Sequence, residues 1–205
     1  MVDSVWSTFL YCKKIDGYEK VYQEFLPYLD DENYFGDTWT FGDALSSIRS
    51  NNNDSLPWPV FFDAIKPNVQ EYLDSLEPSC AYTIHTDEFW VNIYRKNNFQ
   101  EPHDHAFPGR SISAVYVMEA PQGDDVGGEL VLECPNFSIV KASGLNRIFN
   151  KWQYQHLMPP LEPGTLIIFP SWVNHYVLPS KTDQRRTTIA VNFCIGEGNN
   201  DKTEG

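Results

Sequence analysis

From residue 82 onward the apolar pattern of the chain has a period of two, the mark of strands with one buried face. Phe89, Val91 and Ile93 alternate with Trp90, Asn92 and Tyr94. Further candidate strands follow at 110–118, 128–133, 137–142, 152–157, 165–169, 174–178 and 186–194. Turn signals such as Pro121-Gln122-Gly123-Asp124, Gly127-Gly128 and Pro163-Gly164 separate several of them. Many short strands punctuated in this way point to a sandwich or a jelly roll.

Before residue 82 the pattern is mostly helical. Residues 5–12 read as a short strand, and Asp16 as the cap of a helix over 17–29 with Val21, Phe25, Leu26 and Leu29 on one face. Residues 30–57 read as loops with one short helix near Ala44–Ile48. From Pro59 onward, Phe61, Ala64, Ile65, Val69, Tyr72, Leu73 and Leu76 trace a second apolar helix face, with Pro67 predicting a kink or restart. These faces need a partner, and the β-rich remainder is the one large enough. The expectation is a mainly β chain with N-terminal helices and one structural domain overall. Its parts are 1–81 as a supporting strand and helices, 82–195 as the β core and 196–205 as a disordered tail.

A chain of 205 residues that is 41% hydrophobic and 15% aromatic has ample material for a core. Its net charge of −13 repels a phosphate backbone, so nucleic acid is a poor partner unless a basic groove forms locally. Cys12, Cys80, Cys134 and Cys194 are widely spaced and read as reduced core residues. The first residues show no basic region followed by an apolar run, and no stretch approaches the ~20 apolar residues of a membrane span. Together these features predict a soluble cytoplasmic protein with no membrane partner.

The candidate site is built from histidines. A lone histidine is more often a hydrogen-bonded structural residue than a ligand. His103 and His105, in Glu101-Pro102-His103-Asp104-His105, are different, because positions i and i+2 of a strand point to one face. His175 follows a turn and an apolar strand, Pro163 to Pro170, and Arg186 lies eleven residues further on. Three imidazoles on one side of a metal would leave open positions for small molecules, the arrangement of non-haem Fe(II) oxygenases. An arginine on the next strand could hold a carboxylate co-substrate.

Asn92-Ile93-Tyr94, His103-Asp104-His105, Ser113-Ala114-Val115-Tyr116-Val117, Pro163-Gly164-Thr165-Leu166, Phe169-Pro170-Ser171-Trp172, His175 and Arg186 with Asn192-Phe193 resemble the 2-oxoglutarate/Fe(II)-dependent dioxygenase superfamily. The match is best to a group of oxygenases whose first ligand motif reads H-x-H followed by S-G-V-Y-Y. It covers residues 88–195 well and the N-terminal helices loosely. The resemblance implies a double-stranded β-helix, a jelly-roll or cupin-like fold, with iron at one mouth. It implies Fe(II) and 2-oxoglutarate as cofactor and co-substrate, with O2 oxidising a C–H bond of a small-molecule or peptidyl substrate, hydroxylase chemistry being the expectation. It places metal binding on His103, His105 and His175, and the 2-oxoglutarate C5 carboxylate on Arg186. It also counts 89–95 as the first of eight strands, which puts His175 on the seventh and Arg186 on the eighth.

The superfamily's usual H-x-D/E has a histidine, His105, in its third position here. Two readings stay open. Three neutral imidazoles hold the metal and the 2-oxoglutarate dianion balances its charge, or a carboxylate such as Asp104, Glu101 or Glu129, or water, takes the third place. Two other classes also stay open: a three-histidine cupin-like metalloenzyme that does not use 2-oxoglutarate, and a jelly-roll binding protein without catalysis. His85-Thr86-Asp87 is a literal H-x-D, but too many strands separate it from His175, and a capping or turn role suits it better.

Asn92, Tyr94, Ser113, Tyr116 and Asn192 are candidate pocket residues able to bond 2-oxoglutarate or substrate, and Trp172 is a candidate wall. Residues 143–157 form an aromatic, basic interlude that reads as a strand connection or a substrate-facing lid. Alternation separates the two adjacent arginines. Arg186 shares a face with Thr188, Ala190 and Asn192, which suit a ligand-lined interior, whereas Arg185 shares one with Thr187, Ile189, Val191 and Phe193, which suit packing against helices.

Overall fold

The computed structural model describes residues 8–37, 44–144, 147 and 155–198. The chain opens with strand β1 (Tyr11–Lys14), helix α1 (Tyr18–Phe25) and a 3-10 turn over Leu26–Tyr28. Two short strands, β2 (Gly36–Asp37) and β3 (Leu45–Ser46), precede the long helix α2 (Trp58–Asp74). The β region then supplies β4 (Tyr82–Tyr94), β5 (Gln100–His103), β6 (Arg110–Glu119) and β7 (Leu130–Glu133). Helix α3 (Phe137–Ser143) comes next, followed by β8 (His156–Leu157), β9 (Thr165–Pro170), β10 (His175–Val177) and β11 (Arg186–Glu197).

The eight strands β4 to β11 divide between two antiparallel sheets. One has the order β1-β9-β6-β11-β4-β3-β2 and the other β5-β10-β7-β8. Each sheet thus takes four of the eight, and the chain passes from one to the other as it advances. This is a double-stranded β-helix packed against helices. The long central strand β11 is paired along its length with β4 and along most of it with β6. Counted from β4, His175 stands on the seventh strand and Arg186 on the eighth.

Alternation in the large sheet sorts its residues into two cores. Ile189, Val191 and Phe193 on β11, with Ile112, Ala114 and Tyr116 on β6, join Val21, Phe25, Phe61, Ile65 and Val69 of the helices. Burying each large apolar side chain there contributes roughly 1.5–3 kcal/mol relative to exposure. The opposite face contributes Val115, Val117, Ile167 and Phe169, which pack between the sheets with Leu130, Leu132 and Val177. The helices therefore close one face of the large sheet and leave the other for the interior of the roll.

Several local expectations are corrected. Gly17, at φ 72°, rather than Asp16, is the residue at the start of α1, and no side chain caps it. The segment expected to be helical near Ala44–Ile48 holds strand β3, whose Leu45 and Ser46 pair with Ile93 and Asn92 at the sheet edge; an open ladder of β4 outweighs weak local helix propensity. Residues 137–142 form helix α3 rather than a strand, closed by Gly144 in the left-handed region. Helix α2 continues through Pro67 without a restart.

Strand β11 extends through Glu197, so Gly196 and Glu197 are paired with Thr83 and Tyr82 rather than belonging to a loose tail; residues 199–205 lie outside the described residues, as do 5–7 of the first expected strand. The four cysteines are free thiols, but Cys12 and Cys80 are exposed and the other two half-buried, so none is a core residue. No helix among the described residues is long and apolar enough to cross a membrane.

Candidate metal centre

Strand β5 ends at His103, which sits directly opposite His175 of β10 in the antiparallel register. His105 lies just past the strand end rather than on it, and its backbone N–H donates to Ser171 O at 2.8 Å. That bond ties the loop after β5 to the turn before β10, so the third imidazole still converges on the other two. The ring centroids are 4.3 Å apart for His103 and His175, and 5.1 Å for each of the other two pairs. One ring nitrogen from each lies within 4.8 Å of the others.

Backbone carbonyls set the tautomers. His103 Nδ1 lies 2.7 Å from Glu101 O, and His175 Nδ1 lies 2.9 Å from Val173 O. A carbonyl only accepts, so each Nδ1 carries the proton and each Nε2 keeps its lone pair. This is the outer bonding that orients imidazole ligands of a metal. Burial lowers the pKa of all three rings, to about 4 for His105 and about 3 for His175, with repulsion from neighbouring imidazoles adding to the effect in those two. The rings are therefore neutral at ordinary pH, as metal ligation requires. Phe169 packs edge-on to His175 at 4.9 Å and Trp90 to His105 at 5.8 Å, which confines both rings.

Among the described residues no carboxylate joins this cluster. Asp104 is exposed, and its Oδ1 accepts from the backbone N–H of Ala106 at 2.9 Å. Glu101 is exposed and enters through its carbonyl alone.

A cavity of about 530 Å³ contains the three imidazoles and also Arg186. Arg186 is 1% exposed, with its Cζ 4.6 Å from the centroid of the Tyr94 ring. Its Nε and Nη1 are buried and have no partner. Burial works against the charged form, and the Tyr94 hydroxyl and Glu129 oppose that effect. A guanidinium stays protonated in proteins, so the cavity wall carries a cation whose donors await an anion. Gly128 makes the room: at φ +77° it lies where a Cβ would come within 3.3 Å of Arg186 Cδ.

Arg185 faces the other way and is fully engaged. Its Nε and Nη2 donate to Glu119 at 2.6 and 2.8 Å, and its Nη1 donates to Asp30 at 2.7 Å.

Of the pocket residues expected from the sequence, Asn92, Tyr94, Ser113 and Asn192 line the cavity. Tyr116 does not. It is wholly buried on the helix-facing side of β6, packs against Phe61 and donates its hydroxyl to Tyr18 O at 3.3 Å. It stands one residue out of step with Ser113 and Val115, and one residue turns a side chain to the other face of a sheet. Trp172 is 47% exposed and stands outside the cavity. His85 and Asp87 lie on β4 away from the cluster, and Asp87 is ion-paired with Arg110, so neither a metal nor a turn role applies. Most of the 143–157 interlude, at 145–146 and 148–154, lies outside the described residues.

One wall of the cavity is absent from the expectations based on sequence. Asn33, Arg49, Asn51 and Asn52, from the segment before α2, line the cavity together with Glu88 and Trp90 of β4. Glu88 and Trp90 are accessible to the same alternation that selects Asn92 and Tyr94. The N-terminal segment carries no such signal, because its place depends on β3 pairing with β4.

A family model described as "Putative 2OG-Fe(II) oxygenase" matches residues 88–192, just over half of the chain. Solved structures are similar along nearly the whole length. A prolyl-4-hydroxylase from Pseudomonas putida aligns with TM-score 0.60 and 15% identity, covering 90% of this chain and 91% of that one. A prolyl hydroxylase from Trichoplax adhaerens, solved with a hypoxia inducible factor peptide fragment, aligns with TM-score 0.58 and 17% identity over 90% and 83%. HygX from Streptomyces hygroscopicus, solved with nickel and 2-oxoglutarate, gives 0.55 and 10% over 91% and 83%. At these identities the likeness is one of fold. No curated protein matches the chain.

Proposed function

Because the chain belongs to the 2OG-Fe(II) oxygenase family, we propose that His103, His105 and His175 hold its Fe(II) and that Arg186 holds the C5 carboxylate of its 2-oxoglutarate. One observation carries this reading: a buried guanidinium with two unpartnered donors shares a cavity with three neutral imidazoles whose ring nitrogens converge. Either feature alone would be costly and unexplained. An unpaired buried cation is strongly unfavourable, and a carboxylate that meets the guanidinium edge-on removes that penalty. Arg185 cannot substitute, since Glu119 and Asp30 already occupy it.

The donor set fits the group. Three neutral nitrogens converging from His103, His105 and His175 would hold an Fe(II) while leaving it room for non-protein ligands. With no protein carboxylate in the cluster, the 2-oxoglutarate dianion supplies the balancing negative charge. When bound, the iron supplies the redox chemistry that couples decarboxylation of 2-oxoglutarate to oxidation of the substrate. The chain's own residues orient and enclose. The carbonyls of Glu101 and Val173 keep Nδ1 protonated on two ligands, Trp90 and Phe169 hold the rings, and Tyr94 carries the guanidinium face.

Hydroxylation is the reaction proposed, with a small molecule or a peptidyl side chain as substrate. A cavity of about 530 Å³ has room for such a group beside 2-oxoglutarate, and the Trichoplax adhaerens structure is in complex with a peptide fragment.

The test is anaerobic titration of the protein with Fe(II) and then 2-oxoglutarate, following the visible charge-transfer band of the chelate. Arg186→Ala is expected to weaken 2-oxoglutarate at least roughly tenfold, equivalent to ~1.4 kcal/mol, with Fe(II) affinity little changed. Arg185→Ala leaves both as they are. If Arg186→Ala binds 2-oxoglutarate like the parent, the arginine assignment fails; if the parent itself does not bind 2-oxoglutarate, a three-histidine enzyme without it becomes the better reading.

A further inference from the structure

We propose that Glu88 and Asn192 form a second subsite in the same cavity, one that takes the primary substrate by an amine and an adjacent oxygen atom. The proposal rests on the assignment of Fe(II) and 2-oxoglutarate to this cavity and goes beyond it to the chemistry of the substrate.

Asn192 of β11 and Glu88 of β4 are direct partners in the antiparallel register. Both line the cavity. Side chains opposed in this way have Cβ atoms about 4.5–5.5 Å apart and ordinarily interact. Here each is held by something else. Glu88 Oε2 accepts from Arg110 Nη2 at 3.0 Å. Asn192 Oδ1 accepts the Ser113 hydroxyl at 2.7 Å. The Ser113 bond takes Oδ1 and leaves Nδ2, which is buried with no hydrogen-bond partner in a residue only 1% exposed. Unsatisfied buried donors are rare and call for an occupant.

Charge defines the second half of the ligand. Asp87 and Glu88 share the single guanidinium of Arg110, so two carboxylates meet one cation and one negative charge is left over. The Glu88 side chain is 37% exposed and sits on the cavity wall. Across the whole chain the net charge of −13 favours the approach of cations. An ammonium group toward Glu88 and a carbonyl or carboxylate oxygen toward Asn192 Nδ2 complement the two, which is the pairing found in an α-amino acid, its amide, or a chain N-terminus.

Arg186 cannot serve the same ligand head. It lies on the same face of β11 but six residues away, roughly 20 Å along the strand, and its guanidinium stays over Tyr94, which pairs with it at that end. Trp90 and Ala190, between the two ends, line the cavity beside the imidazoles. The cavity thus offers one anion-binding end for the co-substrate and one donor–acceptor end for the substrate. This moves Asn192 from the co-substrate set, where its place in the sequence pattern puts it, to the substrate side.

The test uses the Fe(II)- and 2-oxoglutarate-loaded protein under anaerobic conditions at pH 7, with glycinamide and N-acetylglycinamide as probes. Binding near the iron is read from the paramagnetic relaxation of the probe protons, which requires no turnover. Glycinamide is expected to bind at least fivefold more tightly than its acetylated form, which has lost the ammonium. Glu88→Gln, isosteric and still able to meet Arg110, is expected to abolish that preference. Asn192→Ala is expected to weaken both probes at least fivefold while 2-oxoglutarate affinity stays within twofold. Absence of glycinamide binding, equal affinity for the two probes, or a preference that survives Glu88→Gln overturns the proposal. So does a loss of 2-oxoglutarate in Asn192→Ala, which returns that residue to the co-substrate. If the parent fails to take up Fe(II) and 2-oxoglutarate, the preceding reading fails instead.

Discussion

Arg186 and Tyr94 are register partners on adjacent strands, and the guanidinium carbon of the first lies 4.6 Å from the ring centroid of the second. The ring therefore does two things for a buried cation. It supplies attraction through its π face, and it holds the guanidinium plane so that Nε and Nη1 remain available. The face contact needs the ring rather than the hydroxyl. Tyr94→Leu should weaken 2-oxoglutarate by about 1 kcal/mol, near fivefold in Kd, while Tyr94→Phe should retain most of the affinity. Equal losses in the two variants, measured by the same anaerobic titration, would assign the effect to the hydroxyl.

Gly128 offers a way to disturb Arg186 without touching any residue that meets a ligand. Its φ of +77° is strained for any other residue, and an added Cβ stands 3.3 Å from Arg186 Cδ. Gly128→Val should lower 2-oxoglutarate affinity more than Gly128→Ala, with stoichiometric Fe(II) binding preserved in both. Unchanged 2-oxoglutarate affinity in the valine variant would show that the arginine has room to retreat.

His105 is the proposed ligand that departs from the usual H-x-D/E pattern, and of the three histidines it is also the one held outside a strand. His105→Asp adds a negative charge to a site with no carboxylate in the cluster. It should retain or raise Fe(II) affinity, whereas His105→Ala should lower it. His103→Ala and His175→Ala should each remove most stoichiometric Fe(II) while the protein stays folded. Metal content by elemental analysis, set beside a circular dichroism spectrum, decides. If both His105 variants bind iron like the parent, His105 is a bystander.

Arg185 should behave as a stability residue. Its paired bonds to Glu119, with both side chains largely buried, tie the start of β11 to the end of β6, and Thr187 also donates to Glu119. Charge-assisted bonds of this kind contribute about 1.5–3 kcal/mol. Arg185→Ala should lower the thermal midpoint and leave 2-oxoglutarate binding intact. Loss of binding without loss of stability would mean that the two arginines have been exchanged in role.

Much of the site is legible in the sequence, for reasons of local periodicity. Alternation along β11 separates Arg186, Thr188, Ala190 and Asn192 from Thr187, Ile189, Val191 and Phe193, and the first set lines the cavity while the apolar members of the second meet the helices. That separation follows from the two-residue repeat of a strand and needs no knowledge of what lies on either side. The same repeat misplaces Tyr116 when it is ignored, since Tyr116 and Ser113, close in sequence, stand on opposite faces of β6. It also puts Glu88 and Trp90 on the face of Asn92 and Tyr94.

Residue types and spacing by themselves determined the β-rich roll and the helical cover and singled out the three histidines that cluster, because hydrophobic period and side-chain chemistry are properties of short stretches. Tertiary structure alone decided how distant stretches meet. It brought His175 opposite His103, let a backbone bond to Ser171 aim His105 from beyond its strand, and used β3 at the edge of β4 to carry Asn33, Arg49, Asn51 and Asn52 onto the cavity wall. It left Arg186 Nε and Nη1 without hydrogen-bond partners while satisfying its neighbour Arg185, and it gave Glu88 to Arg110 rather than to its register partner Asn192. Each of these is a competition among partners far apart in sequence. Which partner wins depends on the distances and burial that exist once the two sheets have closed on one another.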